Sequence, residues 1–318
     1  MPRAIGANCR VNMFPEATYG TAPGGNWRRM PFMSVDLGAE QPLLDNAIIG
    51  AGNNRDAAAP FQDTVTVQGS AVVPIDQINI GHWLRLLLGA PATTGSNPNF
   101  VHTFGSGAAV LPSNAIEIAY PDVPSFDVCT GVRANTLEID FSPAGPATAT
   151  FGLMAQGSTR GGATGAGTPT SAAIALFNKA QGSILRNASP LAQVTAARMT
   201  FSNNMEAVRT IRADRRIEGV DPGICQATGQ ITVRFENTTL LTQAQDGTAS
   251  SFEFAYTLNA NRSLTLTLHE VYLGLAKTPV EGPGGVEATF DFRAAFNTVA
   301  TRMMTAVLRN DQAAAVYT

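Results

Sequence analysis

The stretch SLTLTL at 263–268 places three leucines on one face of an extended chain and Ser or Thr on the other. Side chains alternate between the two faces of a strand, so this pattern reads as a strand with one face buried. The same period of two recurs along the chain. TVTVQGSAVVP (64–74), NAIEIAY (114–120), NTLEIDF (135–141) and ATATFGLMA (147–155) carry it in the first half. AARMTFS (196–202), GQITVRFE (229–236), SSFEFAY (250–256), SLTLTLHEVYL (263–273), VEATFDFRAAF (286–296) and RMMTAVLRN (302–310) carry it in the second. Thirty glycines and nineteen prolines supply the turns between them, which favours β architecture.

Several of these stretches match one another in the same order. MPFMSVDLGAE (30–40) loosely resembles ARMTFSNNMEA (197–207), and a long polar loop follows each. VTVQGSAVVPID (65–76) matches CQATGQITVRFE (225–236), with Gly69 opposite Gly229 and Asp76 opposite Glu236. IEIAY matches FEFAY, NTLEIDF corresponds to SLTLTLH (263–269), and ATFGLMA (149–155) corresponds to ATFDFRA (288–294). Each match alone is what any two alternating strands could show; the collinear order indicates a duplication. A helix is expected after the second match in each half. Ile80, Trp83, Leu84, Leu87 and Leu88 form one apolar stripe at about 77–88, stopped by Gly89 and Pro91. A shorter, more polar candidate spans 238–246, with Asn237 as N-cap and Gly247 as the stop. Its polarity leaves open that the halves are not equivalent. The domain reading is therefore a first β domain with an N-terminal arm (1–156), a Gly/Ser/Thr-rich linker (157–192) and a second β domain (193–318). Within the linker, SAAIALFNKA could form a short helix or an ordering arm.

Charged residues are 14% of the chain, against about 25% in ordinary soluble proteins. Such a chain exposes neutral polar surface or buries its surface against partners. The net charge of −3 does not fit a protein that holds nucleic acid by its phosphates. Cys9, Cys129 and Cys225 are odd in number and widely spaced, which predicts neither a disulfide framework nor a zinc site. The N-terminal stretch lacks the apolar core of a secretory signal, and HWLRLLLGA is too short to span a bilayer. His82, His102 and His269 fall in no metal-binding spacing, and no nucleophile elbow or phosphate loop occurs. Glu117, Glu138, Glu253 and Glu270 lie on alternating strands, where solvated faces are commoner than paired catalytic acids. Neither catalytic residues, nor a metal, nor a cofactor is expected.

The two long loops are the least bland segments. The second, MEAVRTIRADRRIEGVD (205–221), carries Arg209, Arg212, Arg215 and Arg216 among Glu206, Asp214, Glu218 and Asp221. Mixed signs are poor for phosphate and suit a salt-bridged protein contact, although a solvated loop would read the same way. The first (40–63) holds Asp45, Arg55, Asp56 and Asp63 around the apolar Ala47, Ile48 and Ile49, which argues for burial against a partner.

FPEATYGTAP (14–23) resembles the E-x-x-Y-G-T-x-P opening of the tail tube proteins of long-tailed bacteriophages. VTVQGSAVVPID followed by GHWLRLLLGAP and FVHTF resembles that family's strand–helix–strand passage. MTFSNNME, GICQATGQITVRFEN and SLTLTLHEVYL resemble its second half, so the likeness spans most of the chain. It implies a mainly β fold of two tandem sandwich or barrel domains, each with a flanking helix, similar to the type VI secretion tube protein. It implies a structural virion protein of siphophage type with no enzymatic activity, assembled in the host cytoplasm and without a membrane. Six such domains would form a ring, so three tandem chains would complete one, with rings stacked into a tube that conducts DNA. The implied partners are other copies of the chain, the tape measure, tail tip and tail terminator proteins, and transiently passing DNA. The resemblance also implies that the long loops reach the next ring. That makes Asp45, Ile48, Ile49, Arg55 and Asp56, and Arg209, Arg212, Asp214, Arg215, Arg216 and Glu218, the candidate contact residues. A rival reading is a receptor- or carbohydrate-binding β-sandwich of a tail tip or adhesin, for which Trp27 would be the aromatic platform.

Overall fold

A computed structural model describes residues 3–46, 56–191, 193–280 and 282–317. Its strands run in chain order as follows. The first group is β1 (Arg10–Pro15), β2 (Arg28–Met30), β3 (Ser34–Val35), β4 (Gly38–Glu40), β5 (Leu43–Leu44), β6 (Phe61–Gln62) and β7 (Thr66–Pro74). Helix α1 (Ile80–Leu88) follows, then β8 (Ala92–Ser96), β9 (Asn99–Gly105), β10 (Asn114–Tyr120), β11 (Ser125–Phe141), β12 (Thr148–Ala155) and β13 (Gly157–Gly161). Next come β14 (Thr170–Ser171), β15 (Gly182–Arg186), β16 (Ser189–Pro190), β17 (Val194–Ser202), β18 (Glu206–Val208), β19 (Gly219–Asp221) and β20 (Gln226–Arg234). Helix α2 (Thr239–Asp246) precedes β21 (Ser250–Asn259), β22 (Arg262–Leu273), β23 (Glu287–Ala294) and β24 (Met304–Asn310). The chain is thus mainly β, as its alternation predicts.

Twenty of these strands join one hydrogen-bonded network. Its spine is an antiparallel array in the order β3/β4, β7, β12, β11, β17, β20, β23, β22. One face of the array is apolar, carrying Phe151, Leu137, Phe201, Ile231 and Phe290, all at most 1% exposed. The other face carries Glu138, Asp140, Arg198, Gln230, Asp291 and Arg293. Two further sheets pack over the apolar face. One runs β2, β1, β10, β11, β13; the other runs β16, β15, β21, β22, β24, β9, β8.

Strands β11 and β22 therefore each belong to two sheets. In β11, residues 125–132 pair with β10, and residues 133–141 with β12 and β17. The corner lies at Gly131, whose φ of +66° is a left-handed conformation that glycine adopts without steric cost. One continuous core fills the space between the layers and includes side chains from both halves. Trp83 of α1 stacks on Phe151 at 5.3 Å. The Asp76 carboxylate accepts the Ile80 N–H at 2.9 Å, and Asn203 donates to the Leu87 and Ala134 carbonyls at 2.9 and 3.2 Å. The bonds to Ile80 and Leu87 serve unpaired backbone groups at the two ends of α1, and the bond to Ala134 ties Asn203 to β11.

The pairings of the first half recur in the second with the same register. Gly69 faces Leu153 and Ala71 faces Phe151; Gly229 faces Phe292 and Ile231 faces Phe290. Arg133 faces Met154 and Ala134 faces Leu153; Tyr272 faces Arg293 and Leu273 faces Phe292. Ile116 faces Cys129 where Phe252 faces Leu268. The matches IEIAY/FEFAY and ATFGLMA/ATFDFRA thus hold equivalent places. NTLEIDF and SLTLTLH do not: 264–268 pair as 125–129 do, and 135–141 correspond to residues beyond β22. The 197–202 stretch of β17 likewise corresponds to 35–40, a different alignment from the sequence match.

The Gly/Ser/Thr-rich segment 157–192 holds β13, β14, β15 and β16, and SAAIALFNKA is extended apart from a 3-10 turn at Lys179–Gln181. β13 is held by β11 and β15 by β21. Short strands clamped to long neighbours by backbone bonds need little alternation of their own, so periodicity misses them. α2 starts at Thr239, so Thr238 and not Asn237 holds the N-cap position; Asn237 Oδ1 still accepts the Thr239 N–H at 3.0 Å, and Gly247 ends the helix at φ +63°. Gln243 of α2 is buried and accepts a bond from Arg186 at 2.6 Å, tying the helix to β15.

Candidate functional site

The two long loops fold back as small antiparallel ribbons. In the first, β5 pairs with β6, with Leu43, Leu44 and Phe61 exposed at 64%, 39% and 53%. Asp45 and Asp56 are exposed; Ile48, Ile49 and Arg55 lie outside the described residues. In the second, β18 pairs with β19, and Met205, Ile217 and Val220 root it with Leu111 in a small core of its own. The tip presents Ile211, fully exposed.

The ribbons touch one another. Arg209 donates to Thr64 Oγ1 at 3.2 Å, Arg215 to Gln62 Oε1 at 3.0 Å, and the Val65 N–H to the Arg215 carbonyl at 2.9 Å. Arg216 turns inward, reaching the Ser158 carbonyl at 2.9 Å. Arg212 pairs with Asp214 at 3.0 Å and Glu218 at 2.7 Å. Its guanidinium bonds hold the Asp214 carboxyl down to about 2 and lower that of Glu218, while the two acids raise Arg212. The structure thus gathers Arg209, Arg212, Asp214, Arg215, Arg216 and Glu218 in and around the second ribbon. Their charges are largely spent inside the ribbon and on its neighbour, which fixes the ribbon's shape.

Sequence reasoning missed a knot built by FPEATYG. Glu16 accepts from the Gly20 N–H at 3.0 Å, the Ser113 hydroxyl at 2.6 Å and the Gly131 N–H at 2.7 Å. It thereby locks the arm onto the corner of β11. The Arg133 guanidinium lies 4.8 Å over the Tyr19 ring and donates to the Val220 carbonyl at 2.6 Å. Burial is the largest cause of the raised Tyr19 pKa. One acid, one ring and one glycine therefore join the arm, the β11 corner and the second ribbon. The spacing E-x-x-Y-G was the only sequence signal.

The remaining polar groups of interest serve the structure. Glu117, buried, accepts from Asn12 at 2.9 Å and the Gly165 N–H at 2.6 Å. His102 lies between Thr93 and Asn310, and His269 bonds Thr305. Burial holds His82 neutral, with its pKa down to about 3, aided by Arg28 and Arg85. Among the described residues no group of three or more His, Cys, Asp or Glu side chains could hold a metal ion, and no helix is long and apolar enough to cross a membrane. Trp27 is fully buried beside Phe14 and Ala166, so it provides no exposed platform for a sugar.

Among the described residues, β3 and β4 pair on one side only, with β7. At the other end of the spine β22 stops at Leu273, the Gly274 N–H still bonds the Asp291 carbonyl at 2.8 Å, and residues 275–280 have no strand partner among the described residues. A cleft of about 650 Å³ lies between Lys277 and Pro279 on one side and Val286, Glu287 and Thr289 on the other.

A sequence comparison is specific. The chain belongs to the phage tail tube protein family, whose profile matches residues 6–294. That family is one of structural virion tail components and not of enzymes. No curated protein matches the chain.

Proposed function

We propose that this chain is the major tube subunit of a sheathless phage tail, without enzymatic activity. Copies assemble in the host cytoplasm into rings, and the rings stack into the hollow path that conducts DNA during ejection. Residues 1–156 and 193–318 act as two tandem tube domains, with 157–192 between them, so three chains complete a pseudo-hexameric ring. Tape measure, tail tip and tail terminator proteins are the further partners.

The observation that carries this reading is the repeated strand register, Gly69–Leu153 against Gly229–Phe292, in a chain of this family. A two-fold internal repeat joined head to tail, open at both ends, is the arrangement that closes by rotation when copies are added. Stacking through Asp45, Ile48, Ile49, Arg55 and Asp56 of one ribbon and the Arg209–Glu218 tip of the other would cover Leu43, Phe61 and Ile211. The net charge of −3 suits a conduit that must not retain DNA.

Electron microscopy of the concentrated protein tests this. Rings or tubes with threefold or pseudo-sixfold top views are expected. Monodisperse single chains, even with a tail-tip complex supplied as nucleus, would rule it out.

A further inference from the structure

Where β1, β2, β10 and β14 meet the start of α1 and the 3-10 turn Ala314–Val316, the protein holds a cavity of about 190 Å³. That is well above the roughly 10–15 Å³ that one water needs. The polar side chains in its wall are Asn26, Arg28, His82, Asn114 and Thr170, and among the described residues no Asp or Glu lines it.

These side chains have donors to spare and few acceptors. Asn26 Oδ1 accepts the Thr168 N–H at 3.0 Å, and Asn114 Oδ1 accepts from Arg85 at 3.2 Å. With both carbonyl oxygens occupied, what the two amides have left to offer is N–H. The Arg28 guanidinium forms no ion pair among the described residues. His82 is 9% exposed, and its Nε2 is buried without a partner. His102 and His269 differ, since each has a ring nitrogen bonded to a neighbour. Arg85 lies one turn after His82 on α1. Its Nε is also buried without a partner, and burial pushes its pKa down. Asp76 and Asp311, the carboxylates that act on the adjoining Tyr317, are spent on the Ile80 N–H and on Arg262. Two guanidiniums therefore act on one imidazole with no carboxylate to balance them. A half-buried cation without a counter-charge is costly. Water in the cavity would answer Nε2 and leave the charges unbalanced; an anion answers both.

We propose that this cavity binds a small free oxyanion, a phosphate or carboxylate group, held by the Arg28 fork, His82 Nε2 and the Asn26 and Asn114 amides. A guanidinium presents parallel N–H groups that match two oxygens of such an anion. The neutral imidazole supplies one further donor when its proton is on Nε2. The site lies within one chain and needs no second copy, so it goes beyond the tube reading and stands apart from it. The bound anion would tie β2 to α1 through a bridge that the side chains do not make by themselves.

The test is nuclear magnetic resonance of the imidazole groups in the full-length chain. Inorganic phosphate and acetate are titrated separately, against potassium chloride of equal ionic strength. The chain has three histidines, and the His82 signal is the one absent from His82→Asn. It should move and saturate with either anion while those of His102 and His269 stay in place. Arg28→Gln should weaken phosphate binding about tenfold or more, the scale of one lost hydrogen bond between charged groups. Arg10→Gln, which removes a charge from the exposed start of β1, should leave it unchanged. Phosphate should also raise the melting temperature of the wild type and of Arg10→Gln, but not that of Arg28→Gln. If Arg28→Gln does not fold, Arg28→Lys, which keeps the charge and loses the fork, should show the weakening instead. A His82 signal that ignores both anions at tens of millimolar, or that moves equally without Arg28, would overturn the proposal. So would a signal that moves only when copies assemble, which would assign the cavity to an acidic side chain of a second copy.

Discussion

At Gly229 an added Cβ would lie 2.0 Å from the Arg198 carbonyl oxygen and 2.4 Å from the Phe292 ring. At Gly69 it would lie 2.7 Å from the Asp36 carbonyl oxygen. They lie on β20 and β7, where the backbone of the neighbour in the same sheet, β17 or the link between β3 and β4, comes too close for a Cβ. Gly229→Ala should therefore destabilise the chain by about 2 kcal/mol or more, the scale of overpacking in a tight interior. Chemical denaturation should show a lower midpoint with an unchanged slope. A stability within error of wild type would mean that β17 shifts freely. The pairing of these glycines was legible in the sequence, because each stands at the same place in a matched strand. Their reason was not: how closely the neighbouring strand approaches is a fact about which strand pairs there. Glu16 is the converse case. Its spacing to Tyr19 and Gly20 was visible, but its partners Ser113 and Gly131 are about a hundred residues away, and no local pattern points to them.

Among elements, the ribbons depend on different forces from the sheets. The second ribbon has a small apolar root and an ion cluster around Arg212. Asp214 and Glu218 are both held below their ordinary range by that arginine. Carboxyls depressed in the folded state contribute stability that is complete above the ordinary carboxylate range and is lost as pH falls through the depressed values. Pepsin cleavage within 206–221 should therefore stay slow near pH 4 and accelerate as pH approaches 2, where Asp214 titrates. Arg212→Ala should move that onset upward toward the ordinary carboxylate range; an unmoved onset would assign the ribbon's order to its apolar root alone. The sequence showed the mixed charges of this loop and left open whether they meet a partner or solvent. The fold turns most of them onto the chain itself. It also merges NTLEIDF with the ten residues before it into one strand, β11. Residues 129–132 of that strand are buried without a break, so the period of two that marks a half-buried strand is lost there.

For the whole molecule, the core is shared. α1 of the first half is capped by Asn203 of the second, β9 pairs with β24, and β11 pairs with β17. Thermal unfolding should therefore be one cooperative transition, coincident by far-ultraviolet circular dichroism and by the fluorescence of Trp27 and Trp83. Two separated transitions would show halves that fold independently despite the shared core. The sequence by itself determined the mainly β class, the helix at α1, the collinear order of the matched strands and the likeness to tube proteins. These follow from side-chain periodicity, stop residues and short motifs, all of which act over a few neighbours. Only the tertiary structure decided which strands meet across the halves, the true equivalence of 197–202 with 35–40, and the burial of Trp27. Every alternating strand offers the same backbone bonds to every other. The choice among partners is made by the summed fit of side chains from distant segments, and that sum exists only once the layers are packed together.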